Sequence, residues 1–153
     1  MQLAALAALM AAPAARAADE GGAVPYWGSL RASVVNMHTG PGEDYRINWV
    51  YKRQHLPVKV LREMGGWRLV EDIDGARGWV ILRFVSKERT GMIKAAPAAD
   101  MQEKADGGGR LLWHVAKGVV GKLGNCADGW CAFEIDGRKG FVREGEVWGA
   151  GAP

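Results

Sequence analysis

From Tyr26 onward the apolar residues fall in short runs rich in Val, Ile and aromatic side chains, each cut by Gly, Pro or an Asp-Gly pair. Such runs predict many short strands, and no stretch keeps the 3.6-residue period of a helix. The first block predicts strands over Ser33–His38 and Ile47–Tyr51, separated by the long loop Thr39-Gly40-Pro41-Gly42-Glu43-Asp44-Tyr45. Pro57–Arg62 and Trp67–Glu71 follow on either side of a Met64-Gly65-Gly66 turn. Asp74-Gly75 reads as a hairpin turn leading into Arg77-Gly78-Trp79-Val80, and Leu82-Arg83-Phe84-Val85 as a single 3₁₀ turn.

The pattern lapses over Lys94-Ala95-Ala96-Pro97-Ala98-Ala99-Asp100, whose composition is that of a linker, and a similar order then returns. Gly66-Trp67-Arg68-Leu69-Val70 with Asp74-Gly75 and Gly78-Trp79-Val80 is echoed by Gly129-Trp130-Cys131-Ala132-Phe133 with Asp136-Gly137 and Gly140-Phe141-Val142. Trp67 and Trp79 lie twelve positions apart, Trp130 and Phe141 eleven. An internal repeat of this kind implies two copies of one unit. Domains are expected at 24–93 and 101–149, with 94–100 as the linker.

Ahead of both blocks, Leu3 to Ala15 is almost unbroken Ala and Leu and ends in Ala15-Arg16-Ala17. It reads as a secretory signal peptide over residues 1–17, cleaved before Ala18. The run is shorter than the about 20 apolar residues that span a bilayer. The mature chain is therefore expected to be periplasmic or secreted and not membrane-spanning. Without Arg16, 19 Lys and Arg face 17 Asp and Glu. A charge so slight and dispersed lacks the concentrated basic stripe that nucleic acid demands. Two domains of this size bury little surface and lean on aromatic anchors or cross-links; seven tryptophans and two cysteines provide both.

The ordered set Val35-Asn36-Met37-His38-Thr39-Gly40-Pro41-Gly42, Tyr45-Arg46, Pro57-Val58-Lys59-Val60, Gly66-Trp67, Asp74-Gly75 and Gly78-Trp79-Val80 closely resembles the bacterial Src-homology-3-like (SH3-like) domain. The second block resembles the divergent repeat of two-repeat proteobacterial members, keeping Gly118-Val119-Val120, Cys126 to Cys131, Gly140-Phe141-Val142 and Val147-Trp148-Gly149. It has Lys104-Ala105-Asp106-Gly107-Gly108-Gly109 where the Gly-Pro-Gly loop should stand. In the first block, Met37-His38 replaces the family's usual Leu or Val followed by Arg. The resemblance implies an all-β chain of two small, partly open, five-stranded barrels in tandem, each with a shallow groove framed by its long first loop and second hairpin loop. It further implies a cell-envelope protein whose ligand is peptidoglycan, a peptide or a partner protein.

The residues themselves offer little catalytic chemistry. Gly40-Pro41-Gly42 lacks the Lys-Ser/Thr and following helix of a phosphate cradle and reads as a pair of backbone devices, glycine permitting positive φ and proline fixing its own. His38, His55 and His114 are too scattered for metal-ligand spacing, and Cys126 and Cys131 lack the second ligand pair that zinc requires, so neither metal nor cofactor is expected. A catalytic thiolate would sit at a helix N-terminus beside its base, whereas these cysteines flank Ala127-Asp128-Gly129-Trp130, a turn between strands. An even cysteine count in an exported domain predicts a structural Cys126–Cys131 disulfide. Trp67, Trp79 and Trp130 are expected to bury their rings in the barrels. Tyr45, on the long loop, and Trp49 are the candidate groove walls, with Glu43 and Asp44 as polar groups for a basic ligand. The expected function is that of a non-catalytic envelope binding module. The alternative is a structural subunit that docks to a larger envelope complex without binding cell wall.

Overall fold

The computed structural model of the protein describes residues 23–153, so the expected signal peptide and its cleavage site lie outside the described residues. The first repeat comprises β1 (Tyr26–Leu30), β2 (Val35–His38), β3 (Ile47–Tyr51), β4 (Pro57–Met64), β5 (Trp67–Glu71), β6 (Arg77–Ile81), a 3₁₀ turn at Leu82–Phe84, and β7 (Val85–Ser86). The second comprises β8 (Thr90–Ile93), β9 (Ala98–Gln102), β10 (Leu111–Ala116), β11 (Val120–Ala127), β12 (Trp130–Ile135), β13 (Arg138–Arg143), a 3₁₀ turn at Glu144–Glu146, and β14 (Val147–Trp148). Each repeat forms one seven-stranded sheet, ordered β3-β2-β6-β5-β4-β1-β7 and β10-β9-β13-β12-β11-β8-β14. The two orders correspond strand for strand. Neither sheet closes into a barrel, yet each curls enough for all seven of its strands to feed one core. Among the described residues no helix is long and apolar enough to cross a membrane.

Two expectations need correction. The five strands implied by the resemblance are β2 to β6; β1 and the two-residue β7 extend the sheet beyond them, paired to β4 and to each other. The repeats also divide earlier than the linker composition suggested. Thr90–Ile93 pairs with β11 and β14 of the second sheet, and Ala98–Asp100 lies in β9. The alanines there are strand residues, Ala99 being buried in the second core. The change of sheet falls at Lys87–Arg89.

The cores are aliphatic rather than aromatic, built from Val, Leu, Ile and Met around Tyr51 in the first repeat and Phe133 in the second. Period-two alternation sends Val70 and Val80 inward and leaves Trp67, Leu69 and Trp79 on the other face. Trp79 is nonetheless 8% exposed, whereas Trp67 and Trp130 are half-buried. In both repeats a methionine of the second strand crosses a glycine of the sixth: Met37 lies against Gly78 and Met101 against Gly140. A Cβ on these glycines would clash with the methionine and stand 2.9 Å from the His38 carbonyl or 3.0 Å from the Gln102 carbonyl. Glycine is required because strand and side chain approach so closely.

The hairpins differ between copies. In the second repeat, Ile135 pairs with Arg138, leaving Asp136-Gly137 as a two-residue turn with φ of 49° and 80°, the geometry favoured by Asp-Gly. In the first, the ladder ends at Glu71 opposite Arg77. The Asp72 N–H donates to the Ala76 carbonyl at 3.0 Å, and its carboxylate accepts from the N–H groups of Asp74 and Ala76 at 3.0 and 2.9 Å. Gly75, at φ 81°, completes this longer loop.

Asp128-Gly129 is a further two-residue turn, with φ of 53° and 81°, and it places Cys126 directly opposite Cys131. The two form the expected disulfide. At the matching point of the first repeat, Glu63 stands opposite Arg68, their charged atoms 3.0 Å apart. The second copy therefore carries a covalent cross-link where the first carries an ion pair.

The repeats meet through aromatic groups. Trp27 and Trp148 cross edge to face at 4.9 Å, the Trp27 indole N–H donates to the Gly151 carbonyl at 3.0 Å, and the Trp148 indole N–H to the Pro57 carbonyl at 3.2 Å. Lys59 Nζ lies 5.3 and 5.4 Å from the two ring centroids. Thr90 Oγ1 donates to the His55 carbonyl at 2.8 Å and Arg53 to the Gly118 carbonyl at 2.7 Å. Replacing Trp148 with Ala is expected to cost about 2–4 kcal/mol and to split the urea transition monitored by circular dichroism, as the two sheets lose their common seam. Reduction of the disulfide is expected to lower second-repeat stability by about 2 kcal/mol, the value for so short a loop, measured as the urea midpoint with and without reductant.

Candidate ligand-binding surface

The long loop of the first repeat is held in one shape. Thr39 N–H donates to the Arg46 carbonyl at 2.9 Å and closes its neck; Gly42 N–H donates to the Gly40 carbonyl at 3.0 Å, turning the chain at Pro41. The Tyr45 ring then lies against Gly40, filling the space in which a Cβ would sit, and stands 3.2 Å from where a Cβ on Gly42 would be. This is the physical need for glycine before the proline; after it, a side chain would press on the ring. The Tyr45 carbonyl accepts from His38 Nδ1 at 2.9 Å, which fixes the proton on that nitrogen, and the imidazole meets Trp67 edge to face at 5.2 Å. His38 thus ties the loop to β2 and β5.

Of the four candidate residues, Tyr45 and Trp49 are the more distinctive, with 51% and 55% of their surfaces exposed. Glu43 and Asp44 are exposed on the loop's crest. A cavity of about 350 Å³ beside the loop is lined by Val34, Asn36, His38, Glu43, Ile81 and Arg83, with Phe84 at its end. Glu43 belongs to it; Tyr45 and Trp49 do not line it. The candidates therefore split between a polar groove on one side of the loop, which Glu43 lines, and exposed aromatic side chains, Tyr45 on the loop and Trp49 on the edge strand β3, along which Ile47 and Val50 are also exposed.

Sequence reading missed the counterpart in the second repeat. Met101 and Trp113 follow Met37 and Trp49 by the same 64 positions, the signal by which they were detectable. Trp49 pairs with Met37 after a bulge at Asn48, and Trp113 pairs with Met101 after a bulge at Leu112. Glu103 N–H donates to the Arg110 carbonyl at 3.0 Å, closing a loop as long as that from Thr39 to Arg46. The missing Gly-Pro-Gly has not dissolved this loop. Its covering ring comes from Trp130 of β12, which lies over Gly107, while Glu103 and Arg110 also pair across the neck at 3.1 Å. That pairing holds the Glu103 carboxyl below the usual carboxylate range.

The sequence model of the bacterial SH3 domain family matches the chain twice, over residues 31–87 and 95–149. No curated protein sequence matches. Among solved structures, NlpC1 from Trichomonas vaginalis is similar at 16% identity and a TM-score of 0.38, over 90% of this chain and 50% of that one. NlpC2 from the same organism is similar at 14% identity and a TM-score of 0.37, over 82% and 48%. The chain spans about half the length of these structures.

What seats the exposed strand is Tyr51 at its end. The Tyr51 ring enters the first core and its hydroxyl donates to Asp72 Oδ2 at 2.9 Å, joining β3 to the Asp72 loop. Burial, then the carboxylate acceptor, pushes the phenol well above its ordinary value. The unfolded phenol ionises near pH 10 while the folded one stays protonated. Its contribution to stability is therefore complete below about pH 10 and declines as the pH rises beyond it. Between about pH 9 and 11 the urea midpoint of the wild type is expected to fall more steeply than that of Tyr51→Phe, which keeps the ring but cannot ionise.

Proposed function

The chain belongs to the bacterial SH3 domain family, and on that premise we propose that it is an exported, non-catalytic binding module of the cell envelope. Its ligand, peptidoglycan or a peptide or protein of the envelope, is taken by the surface that Glu43, Asp44, Tyr45 and Trp49 form on the first repeat. One observation carries the reading. Two large aromatic side chains stand half in solvent on a loop and strand whose backbone is otherwise fixed by hydrogen bonds, glycine contacts and the Tyr51 anchor. Rings held ready in this way contact a ligand with little ordering cost, and isolated exposure of such rings has no role in either core.

The disulfide supports a place in an oxidising compartment, and since both thiols are bridged neither is available as a nucleophile. Membership of the family favours wall or envelope-protein recognition over a soluble metabolite. In a sedimentation assay with purified sacculi, the mature protein is expected in the pellet. Tyr45→Ala combined with Trp49→Ala should shift at least about nine-tenths of it to the supernatant, the loss expected when central aromatic anchors are removed. Wild-type protein that stays in the supernatant would exclude the wall-binding form. Recovery of a stoichiometric protein partner from periplasmic extract in that case would establish the docking alternative.

A further inference from the structure

Each sheet has one short and one long edge. At one end lie β7 and β14, two residues apiece, too short to recruit another strand. At the other lie β3 and β10, of five and six residues, each hydrogen-bonded on one side only. An edge of that length is ordinarily blunted by proline, by a charge within the strand, or by cover. β3 reads Ile-Asn-Trp-Val-Tyr and among the described residues has none of these; Ile47, Trp49 and Val50 are exposed along it. On β10, Leu111 and Trp113 are exposed in the same way.

The charges lie at the strand ends instead. β3 is bracketed by Arg46 and by Lys52-Arg53, and β10 by Arg110 and Lys117. Among the described residues Arg46, Lys52 and Lys117 make no ion pair, while Arg110 pairs with Glu103 at 3.1 Å. Arg53 reaches the Gly118 carbonyl, so the ends of the two edge strands meet at the seam between the repeats. This placement discriminates between occupants. A second copy paired antiparallel to β3 about Trp49 would set Arg46 opposite Lys52, a repulsive juxtaposition repeated at the other end. A strand with acidic ends would meet both cations favourably, and its central residues would lie against Trp49 on one face and against Ile47 and Val50 on the other.

We propose that β3 takes an extended segment of a partner protein as an added strand, acidic at both ends and apolar between. The twin bracketing of β10 equips the second repeat to take a further such segment. Main-chain hydrogen bonds supply affinity in this mode and side-chain contacts supply selectivity. The proposal rests on the reading of the Tyr45 and Trp49 surface as a binding surface and names the ligand's chemistry.

The probe is the synthetic peptide Glu-Glu-Val-Thr-Val-Glu-Glu, titrated against the mature protein while the backbone amide resonances of Ile47–Tyr51 are followed. Saturable shifts in those amides are expected, with affinity falling at least about tenfold for Arg46→Glu combined with Lys52→Glu and falling with added salt. The same peptide N-methylated at alternate residues keeps its side chains and charge but loses its ladder donors, and should not bind. Equal binding of the methylated peptide, or of a peptide with Lys in place of every Glu, would overturn strand addition. Sacculus binding without any affinity for the peptide would overturn it too while leaving the wall-binding reading intact. Peptide binding without sacculus binding would uphold it and exclude the wall as ligand.

Discussion

The crossing of Trp27 and Trp148 is the contact on which the arrangement of the two sheets depends. A domain of some 60 residues buries a modest fraction of its surface, and each core here is aliphatic and small. The two tryptophans share one apolar seam between the copies, with each indole N–H satisfied by a carbonyl of the opposite repeat. Lys59 adds a cation near both rings and stands 3.8 Å from Glu71, so its charge is balanced on the first sheet while its attraction spans the seam. His55 shows what this seam demands of the backbone. It adopts φ 63° without being glycine, a conformation normally avoided. It is held there by its N–H to the Leu30 carbonyl at 2.8 Å and by Thr90 on its own carbonyl.

Within each repeat the constraint is different. Seven strands reach one core only because the sheet curls, and β2 comes closest to β6 where Met37 crosses Gly78, as β9 comes to β13 where Met101 crosses Gly140. The pair is the same in both copies although most of the surrounding chemistry has changed: Val70 has become Phe133, Trp79 has become Phe141, and the Glu63–Arg68 pair has become a disulfide. Among the described residues Arg68 Nε makes no hydrogen bond in spite of its short distance to Glu63; the guanidinium's bonded contacts run to the Gly65 and Trp67 carbonyls. With both side chains largely buried, the desolvation of such a pair offsets much of its Coulombic gain, whereas a cross-link acts on the unfolded chain. The two copies thus solve the same hairpin closure by different physics.

Much of this was legible in the residues. Short β-branched runs, Asp-Gly turns and the echo of Gly66-Trp67 in Gly129-Trp130 carried the all-β tandem fold, and the even cysteine count carried the disulfide. The strand at Ile47–Tyr51 and the 3₁₀ turn at Leu82 were readable from pattern alone. The division of the chain was not, because Ala98-Ala99 resembles a linker in composition, and only the core around Met101 makes a small inward residue at Ala99 useful. Nor was the placing of the tryptophans legible. Period two says that Trp79 and Val80 face opposite ways without saying which face becomes the core. Trp27 as a seam residue depends on Trp148, more than a hundred positions away, and no local signal joins them. At the candidate surface, the loop and its exposed aromatic groups followed from sequence, but the separation of Glu43's groove from the Tyr45 and Trp49 row is a product of how β3 leaves the loop.

That separation gives the two halves of the surface different demands on a ligand. The groove beside Glu43 offers a carboxylate, an imidazole whose Nδ1 is already engaged, and Arg83, whose guanidinium lies 4.8 Å from the Phe84 ring centroid; it rewards side groups placed at particular points. The β3 edge offers main-chain donors and acceptors with apolar side chains beside them and cations at either end, and it rewards an extended backbone with acidic ends. Tyr45 lies between the two and is clamped on glycine. Its ring cannot retreat without opening Gly40 and Gly42 to solvent. The loop therefore keeps the aromatic row exposed at the cost of being unable to hide it, and the cations at the ends of the row discourage another copy of the chain from covering it.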